Sequence, residues 1–352
     1  MDLLKQNAQI SKEMLTPVSV NSLEYCETII NHVSRSFSLG INLLKGEIKK
    51  SVLIGYLLCR IIDTVEDDQT LETQVKEKYL RDFLNCFENI ENSYSYSKIS
   101  ELLKGDKYHL ELVQNTHKVF DVYFTLSQNT RNVLQKWVTE MCQGMILFIS
   151  KQPNGIRIQN IKEYKSYCYY VAGTVGYLLT DLWKEYGCRI TEKKYNELNK
   201  YSGIFGEALQ TINILKDVAW DAKHENSIYI PQDILAKHGS SHEFILNNNY
   251  YYQNEKAVKE IMHIANDNLN VSLNYIKGIS KFNFRIRFFC IFPLLMAFAT
   301  LKKIKNAPNL LTPEKTIKVS RGEVKTIVKL SFLSALSNNF LIKSASHIYK
   351  LK

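Results

Sequence analysis

Turn-forming residues are scarce in this sequence: 14 glycines and 6 prolines in a chain of 352 residues, roughly half the usual share. A chain with so few reversals spends its length in long elements, which excludes a many-stranded β protein and favours helices. The seven cysteines (Cys26, Cys59, Cys86, Cys142, Cys168, Cys188 and Cys290) contain no CxxC pair. Their odd number and scatter argue against a disulfide framework and for reduced thiols in a reducing compartment. The opening MDLLKQNAQISKEM lacks a basic start followed by an apolar core, so no secretory signal is read there. Long apolar runs are missing too. The longest uncharged one, residues 288–301, has 14 residues and contains Pro293, which is short for a bilayer span and suits a buried core helix. The final stretch is broken by Asn338, Asn339 and Lys343, and no membrane anchor is read in it. No glycine-rich phosphate loop or dinucleotide fingerprint is present.

What is present is an ordinary globular balance, 45% hydrophobic and 23% charged residues, with a formal charge of +10. The excess is local: residues 275–352 hold 15 Lys or Arg and only Glu314 and Glu323 as acids, while the rest of the chain is slightly acidic. Apolar residues recur at three- and four-residue spacing, as in Val52, Ile54, Leu57, Leu58, Ile61, Ile62 and Val65, and again in Leu209, Ile212, Leu215 and Val218. That periodicity predicts helices. Breaks are expected at 92–98, 152–155, 238–241 and 306–313, where Ser, Asn, Gly and Pro gather. In the last of these, Thr312-Pro313-Glu314 has the form of a helix start. His238 and His242 have HxxxH spacing, but the intervening Gly-Ser-Ser predicts a loop rather than a zinc pair. None of the breaks is long enough for an interdomain linker, so the chain reads as an all-α protein with one large domain over 21–335, an extension at 1–20 and a tail at 336–352.

Two constellations carry chemistry. In YLLCRIIDTVEDD, spacings of three and four place Arg60, Asp63 and Asp67 along one helical face, with Glu66 beside them and Asp68 following. Grouped carboxylates repel one another and call for a cation; hard oxygens of this kind suit Mg²⁺, which binds through one or two carboxylates plus substrate phosphate. A solvated acidic helix end is the alternative. In QTINILKDVAWD, Gln210, Asn213, Asp217 and Asp221 follow at offsets of three, four and four, a polar stripe on an otherwise core-like helix. Such a stripe needs partners, because unpaired buried polar groups are costly. Each motif alone is weak; the pair is much stronger.

With these motifs the chain resembles the squalene and phytoene synthase family, most closely its squalene-forming branch. The matching segments, in order, are SRSFSLGI (34–41), YLLCRIIDTVEDD (56–68), YCYYVAGTVG (167–176), QTINILKDVAWD (210–221), IYIPQD (228–233) and FCIFPLLMAFATL (289–301). The resemblance implies an isoprenoid (terpenoid) synthase domain, a helical bundle around a central cavity. It implies that Asp63, Glu66 and Asp67 on one wall, and Asp217 and Asp221 on the other, hold Mg²⁺, for which Mn²⁺ can substitute, and the diphosphates of two farnesyl diphosphate substrates. Arg35, Arg60 and Lys216 would meet phosphate oxygens. Ser34, Arg35, Ser36 and Phe37 correspond to a segment that covers the substrate, and Gln210 and Asn213 would bind substrate from the second motif. Tyr167 corresponds to a tyrosine that assists proton removal, and Tyr56 stands one turn before Arg60. Phe289, Cys290 and Pro293 match an apolar channel for the prenyl tails. Core packing is an equal alternative for the last three, and an alternative for the two tyrosines.

In this branch two farnesyl diphosphates condense to presqualene diphosphate, which NADPH then reduces to squalene, feeding sterol or hopanoid synthesis. Lys318 and Arg321 occupy the stretch assigned to cofactor-contacting cations, so any NADPH binds without a Rossmann unit. The C-terminal bases admit two other readings, a surface that approaches anionic membranes or a solvated basic helix; nucleic acid is the least favoured partner. The expected location is cytoplasmic, soluble or peripheral to a membrane. Four departures from the family pattern bear on phosphate and cofactor contacts: Lys216 and Ser320 stand where Arg is usual, Trp220 where an acid is usual, and Asn226-Ser227 where Gly-Arg is usual. They keep two rivals open, a condensation without reduction giving dehydrosqualene or phytoene, and a non-catalytic relative that serves as a binding protein.

Overall fold

A computed structural model describes residues 17–34, 36–307, 310–312 and 317–350. Arg35, Pro313, Glu314 and most of the 1–20 extension lie outside the described residues. Among those described the architecture is all-α, as the scarcity of turn formers predicts, and the only β contact is an isolated parallel bridge between Arg157 and Ile228. The helices gather into two compact units divided after Cys142.

In the first unit α1 (Pro17–Val33), α2 (Phe37–Leu43) and α3 (Glu47–Glu66) lead to α4 (Thr73–Asn85), α5 (Ile90–Tyr96), α6 (Lys107–Gln114), α7 (Thr116–Thr125) and the first part of α8 (Gln128–Lys151). The periodic apolar residues of α3, from Val52 to Val65, are all buried, so this helix runs through the core, with Arg60, Asp63 and Glu66 half-buried towards its C-terminal end. Phe83, Phe87, Tyr96, Phe120 and Tyr123 pack edge to face, with centroids 5.2 to 5.8 Å apart, the geometry ring quadrupoles favour. The expected break at 92–98 is instead helical, as α5 followed by a 3₁₀ turn over Ser97–Leu102. Asn89 caps α5 by accepting from the Glu91 N–H at 3.0 Å, and the hydroxyls of Ser93 and Ser97 return to backbone carbonyls. Serines read as loop formers are consumed inside the helix.

In the second unit α9 (Ile161–Cys168) passes through a π turn (Tyr169–Gly173) into α10 (Thr174–Tyr186), followed by the 33-residue α11 (Glu192–His224), the short α12 (Gln232–Lys237), α13 (Tyr251–Gly278), α14 (Phe284–Lys305), α15 (Arg321–Leu336) and α16 (Asn338–Lys350). Glycines bring the α9–α10 segment against α11: a Cβ on Gly206 would lie 2.0 Å from the Ala172 carbonyl oxygen, and one on Gly176 would lie 2.0 Å from that of Ser202. Gly206→Ala is therefore expected to cost about 1–3 kcal/mol despite alanine's better helix propensity; a thermal midpoint equal to or above the parent's would refute this close approach.

Helix α14 is long and apolar enough to cross a membrane by length and composition, but 78% of its most apolar window is buried in the protein. It is a core helix, as the run at 288–301 predicts. Of the helix start expected at Thr312-Pro313-Glu314, Pro313 and Glu314 lie outside the described residues; residues 317–320 are not helical, and α15 begins at Arg321 with Ser320 as its N-cap and Glu323 closing a capping box. Two serine–glutamate hydrogen bonds satisfy the first N–H groups there. The segment set apart as a tail carries α16, whose Leu341, Ala345 and Ile348 are buried.

Candidate active site

The polar end of α3 assembles the first cluster within one unit. The Arg60 guanidinium lies 3.4 Å from the Asp63 carboxylate and donates to the Tyr56 hydroxyl at 3.3 Å. Tyr56 in turn donates to the Val33 carbonyl at 3.3 Å and packs its ring 5.7 Å from Phe37. Helical spacing thus converts three sequence positions into one chain of contacts that ends at the root of segment 34–37. Burial pushes the Asp63 carboxyl up to about 7; Arg60 pulls the other way and Asp67 adds to the rise. Burial also raises Glu66 well above the usual carboxyl range, reinforced by Asp67 and opposed by Lys76. Burial acts against the charge on Arg60, but Asp63 and Tyr56 outweigh it and hold its pKa above the ordinary value. Its Nε is buried with no hydrogen-bond partner among the described residues.

The structure separates Asp68 from the other acids. It is buried, and its carboxylate accepts from the Thr70 N–H and hydroxyl, each at 2.7 Å, and from the Lys104 N–H at 2.6 Å. Asp68 ties two loops together, whereas Asp67, at the helix C-cap, is exposed. Ser34 is buried and its hydroxyl accepts from the Phe37 N–H at 3.0 Å, which starts α2. Ser36 and Phe37 are half-buried, and Arg35 lies outside the described residues.

The second cluster lies on α11 in the other unit. Asp221 is buried and Asp217 half-buried, with Lys216 Nζ 3.0 Å from the Asp217 carboxylate. Gln210 is half-buried and Asn213 exposed. Trp220 stacks on His224, one turn on, with centroids 3.8 Å apart. The helix ends in a loop that is firmly held. Asn226 takes a left-handed φ of 46°, and its side-chain oxygen accepts from Arg157 at 2.5 Å while its carbonyl accepts a second Arg157 N–H. Ser227 is buried, its N–H donating to the Asp221 carbonyl at 3.0 Å and its hydroxyl accepting from the Ile156 N–H at 3.1 Å.

Tyr167 is buried, with its hydroxyl 3.3 Å from that of Tyr229. Tyr229 went unassigned from sequence, although it lies within the IYIPQD segment; only folding brings it beside a residue 62 positions away. His109 is a second omission: it is half-buried, and the charges of Arg60 and Asp67 both act on it. No signal in the sequence marks it. Phe289, Cys290 and Pro293 are all buried in α14; Phe289 meets Trp183 edge-on at 5.6 Å, and burial pushes the Cys290 thiol up to about 12. Lys318 and Arg321 are exposed on either side of Ser320.

No group of three or more His, Cys, Asp or Glu side chains among the described residues stands ready as a metal cage. Mg²⁺ does not need one, since it keeps several waters and binds through one or two carboxylates plus substrate phosphate. Asp63 and Glu66 fit that use: adjacent hard oxygens whose charged forms are disfavoured until a cation arrives.

The chain is 29% identical over 311 residues to a squalene synthase of Schizosaccharomyces pombe, covering 87% of this chain and 64% of the relative. It is 29% identical over 307 residues to the Botryococcus squalene synthase of Botryococcus braunii, covering 86% and 61%. It thus spans less than two thirds of the length of these two relatives. A solved structure of TcSQS in complex with a ligand superposes with a TM-score of 0.80 at 23% identity, covering 94% of this chain and 93% of that one, so the fold is shared. The squalene/phytoene synthase profile matches residues 30–323, and the chain belongs to that family.

Proposed function

We propose that the chain is a farnesyl diphosphate farnesyltransferase that joins two farnesyl diphosphates into presqualene diphosphate and, with NADPH, reduces this to squalene. The observation that carries the reading is the Tyr56–Arg60–Asp63 array with Glu66 beside it, in a chain of this family: a half-buried guanidinium whose buried Nε is unpaired, beside two carboxylates whose charged forms are disfavoured. A diphosphate and a divalent metal answer both needs at once.

Asp63, Glu66 and Asp67 would hold metal for one diphosphate, and Asp217 and Asp221 for the other. Bound Mg²⁺ supplies charge neutralisation to the leaving diphosphate, so that the allylic C–O bond can ionise. Arg60, Arg35 and Lys216 add donors to the phosphate oxygens. Ser34, Ser36 and Phe37 exclude water from the allylic cation, which water would otherwise quench. Gln210 and Asn213 orient the substrate from α11. The first half-reaction forms a carbon–carbon bond and loses one diphosphate and one proton; Tyr167, hydrogen-bonded to Tyr229, is the acceptor assigned to that proton. The second loses the other diphosphate and takes a hydride from NADPH. Phe289, Cys290 and Pro293 offer the prenyl tails an apolar wall.

Lys318 and Arg321 flank the N-terminus of α15, where the helix dipole also favours an anion, which suits the NADPH 2′-phosphate. A second reading, condensation without reduction, is favoured by a specific observation. Ser227 and Ser320, which stand where cations are usual, are both committed to holding the backbone, one in the loop after α11 and the other at the cap of α15. Incubation with labelled farnesyl diphosphate and Mg²⁺, with and without NADPH, separates the two. Squalene that appears only with NADPH supports the first reading; a product two hydrogens short of squalene and indifferent to NADPH supports the second; no diphosphate release refutes both. Replacing Lys318 and Arg321 with Ala is expected to raise the KM for NADPH by about tenfold, since charge-assisted hydrogen bonds contribute roughly 1.5–3 kcal/mol, and to change that for farnesyl diphosphate much less. An equal rise in both would remove them from the cofactor site.

A further inference from the structure

The second unit exposes an apolar face that the catalytic reading does not use. Phe282 is 71% exposed in the turn between α13 and α14, and Leu333 and Leu336 are 50% and 58% exposed at the end of α15. Three contacts make these one surface. Arg287, in the first turns of α14, donates to the carbonyls of Ile276 and Ile279 at the end of α13, to those of Ser334 and Ala335 at the end of α15, and to the Asn338 side chain. Phe332 stacks on Phe284 at 5.9 Å. Asn283 donates to and accepts from the Cys188 backbone, at 2.8 and 2.7 Å, which draws in the loop after α10. In that loop Arg189 is held at a left-handed φ of 60°, with its guanidinium 4.3 Å above the Phe282 ring.

Segments 187–191, 277–288 and 325–343 carry one sign of charge: they contain no Asp or Glu, while Arg189, Lys281 and Lys329 are exposed among the apolar tips. Of the exposed acids that flank the first segment, Glu185 and Glu192, the latter is paired with Lys184 at 2.8 Å. Exposed apolar patches on soluble proteins mark interaction sites, and the charge selects the partner. A second copy of this chain meeting the face across a two-fold axis would set cationic rim against cationic rim. Aromatic and aliphatic tips interspersed with Lys and Arg are the composition of elements that lie in the headgroup region of anionic bilayers. We propose that this face is a docking surface for an anionic membrane, with Phe282, Leu333 and Leu336 entering the headgroup boundary and Arg189, Lys281 and Lys329 meeting lipid phosphates. The docking elements are rigid, since Arg287 and Asn283 already tie all three segments together, so little ordering is needed on contact.

The test uses the full chain, with no substrate. Sedimentation with phosphatidylcholine vesicles, with and without phosphatidylserine, is expected to recover the protein only with the anionic vesicles, and added salt is expected to release it. Each base near such a surface contributes roughly fivefold to partitioning, so R189E/K281E is expected to lower binding by well over tenfold. F282S/L336S is expected to lower it comparably at low salt. The thermal midpoint of each variant shows that it is folded, and F282W, whose emission should shift to the blue on binding, reads insertion without removing apolar area. Protein that stays in solution with anionic vesicles, or folded variants that bind as the parent does, would overturn the proposal. So would a concentration-dependent dimer dispersed by the same variants, which would make the face a self-contact.

Discussion

Asp63→Asn is expected to slow diphosphate release from farnesyl diphosphate on the order of a thousandfold, from the several kcal/mol that a metal ligand contributes to the departure of a phosphate group. The amide keeps the size of the side chain and can still face Arg60, so the helical circular dichroism signal should not change. A pH dependence distinguishes a metal ligand from a merely acidic neighbour. Without metal, burial holds the Asp63 carboxyl near 7, so below that pH Mg²⁺ must displace a proton in order to bind. The Mg²⁺ concentration for half-maximal rate is therefore expected to climb as pH falls through about 7 in the parent protein. A turnover that Asp63→Asn leaves intact would remove the residue from the site.

Asp68 supplies the control. It is also an aspartate, five residues further on, but its carboxylate is occupied by three donors from Thr70 and Lys104. Asp68→Asn is expected to cost about 1–3 kcal/mol of stability and to leave the folded fraction active. If it instead abolished turnover at unchanged stability, the division of labour between the two acids would be wrong.

The largest stability effect is expected at Arg287. It is fully buried, and its guanidinium is met by four backbone carbonyls and the Asn338 oxygen. Those carbonyls lie at the ends of two helices, where i→i+4 donors run out and the negative ends of the helix dipoles lie; the Ile276 and Ser334 oxygens also accept from the Ile279 and Ser337 N–H groups, at 3.1 and 3.3 Å. Burial lowers the Arg287 pKa, yet the ring of acceptors solvates the cation in place of water. Arg287→Met keeps much of the volume but takes the guanidinium from all four carbonyls and the Asn338 oxygen, of which the Ile276 and Ser334 oxygens keep one backbone donor each. It is expected to destabilise the protein by about 3–5 kcal/mol, read from the urea midpoint at constant m-value. Arg287→Lys, with one ammonium in place of a planar fork, should fall between the two. A midpoint within error of the parent's would mean that water solvates these helix ends without help.

Much of the α3 cluster was legible in advance because its members lie within two helical turns, where spacing alone decides which side chains meet. Tyr56, Arg60 and Asp63 follow from a period of 3.6. The same local rule failed at 92–98, where serines and an asparagine that look like turn formers line a helix, since their hydroxyls and amide satisfy backbone groups either way.

The sequence by itself determined the all-α class, through periodicity and the scarcity of glycine and proline, and it determined family membership through six collinear motifs. It also marked the acids that a metal would need. Tertiary structure alone decided which of those acids are spent on the fold, as with Asp68, and which hydroxyl meets Tyr167. It decided that Ser227 and Ser320 serve the backbone, and that a buried arginine in an apolar helix closes two others. The physical reason is range. Helix periodicity is a property of neighbours in the chain, whereas a carboxylate's partners or a guanidinium's acceptors come from segments tens of residues away and exist only once the chain has packed.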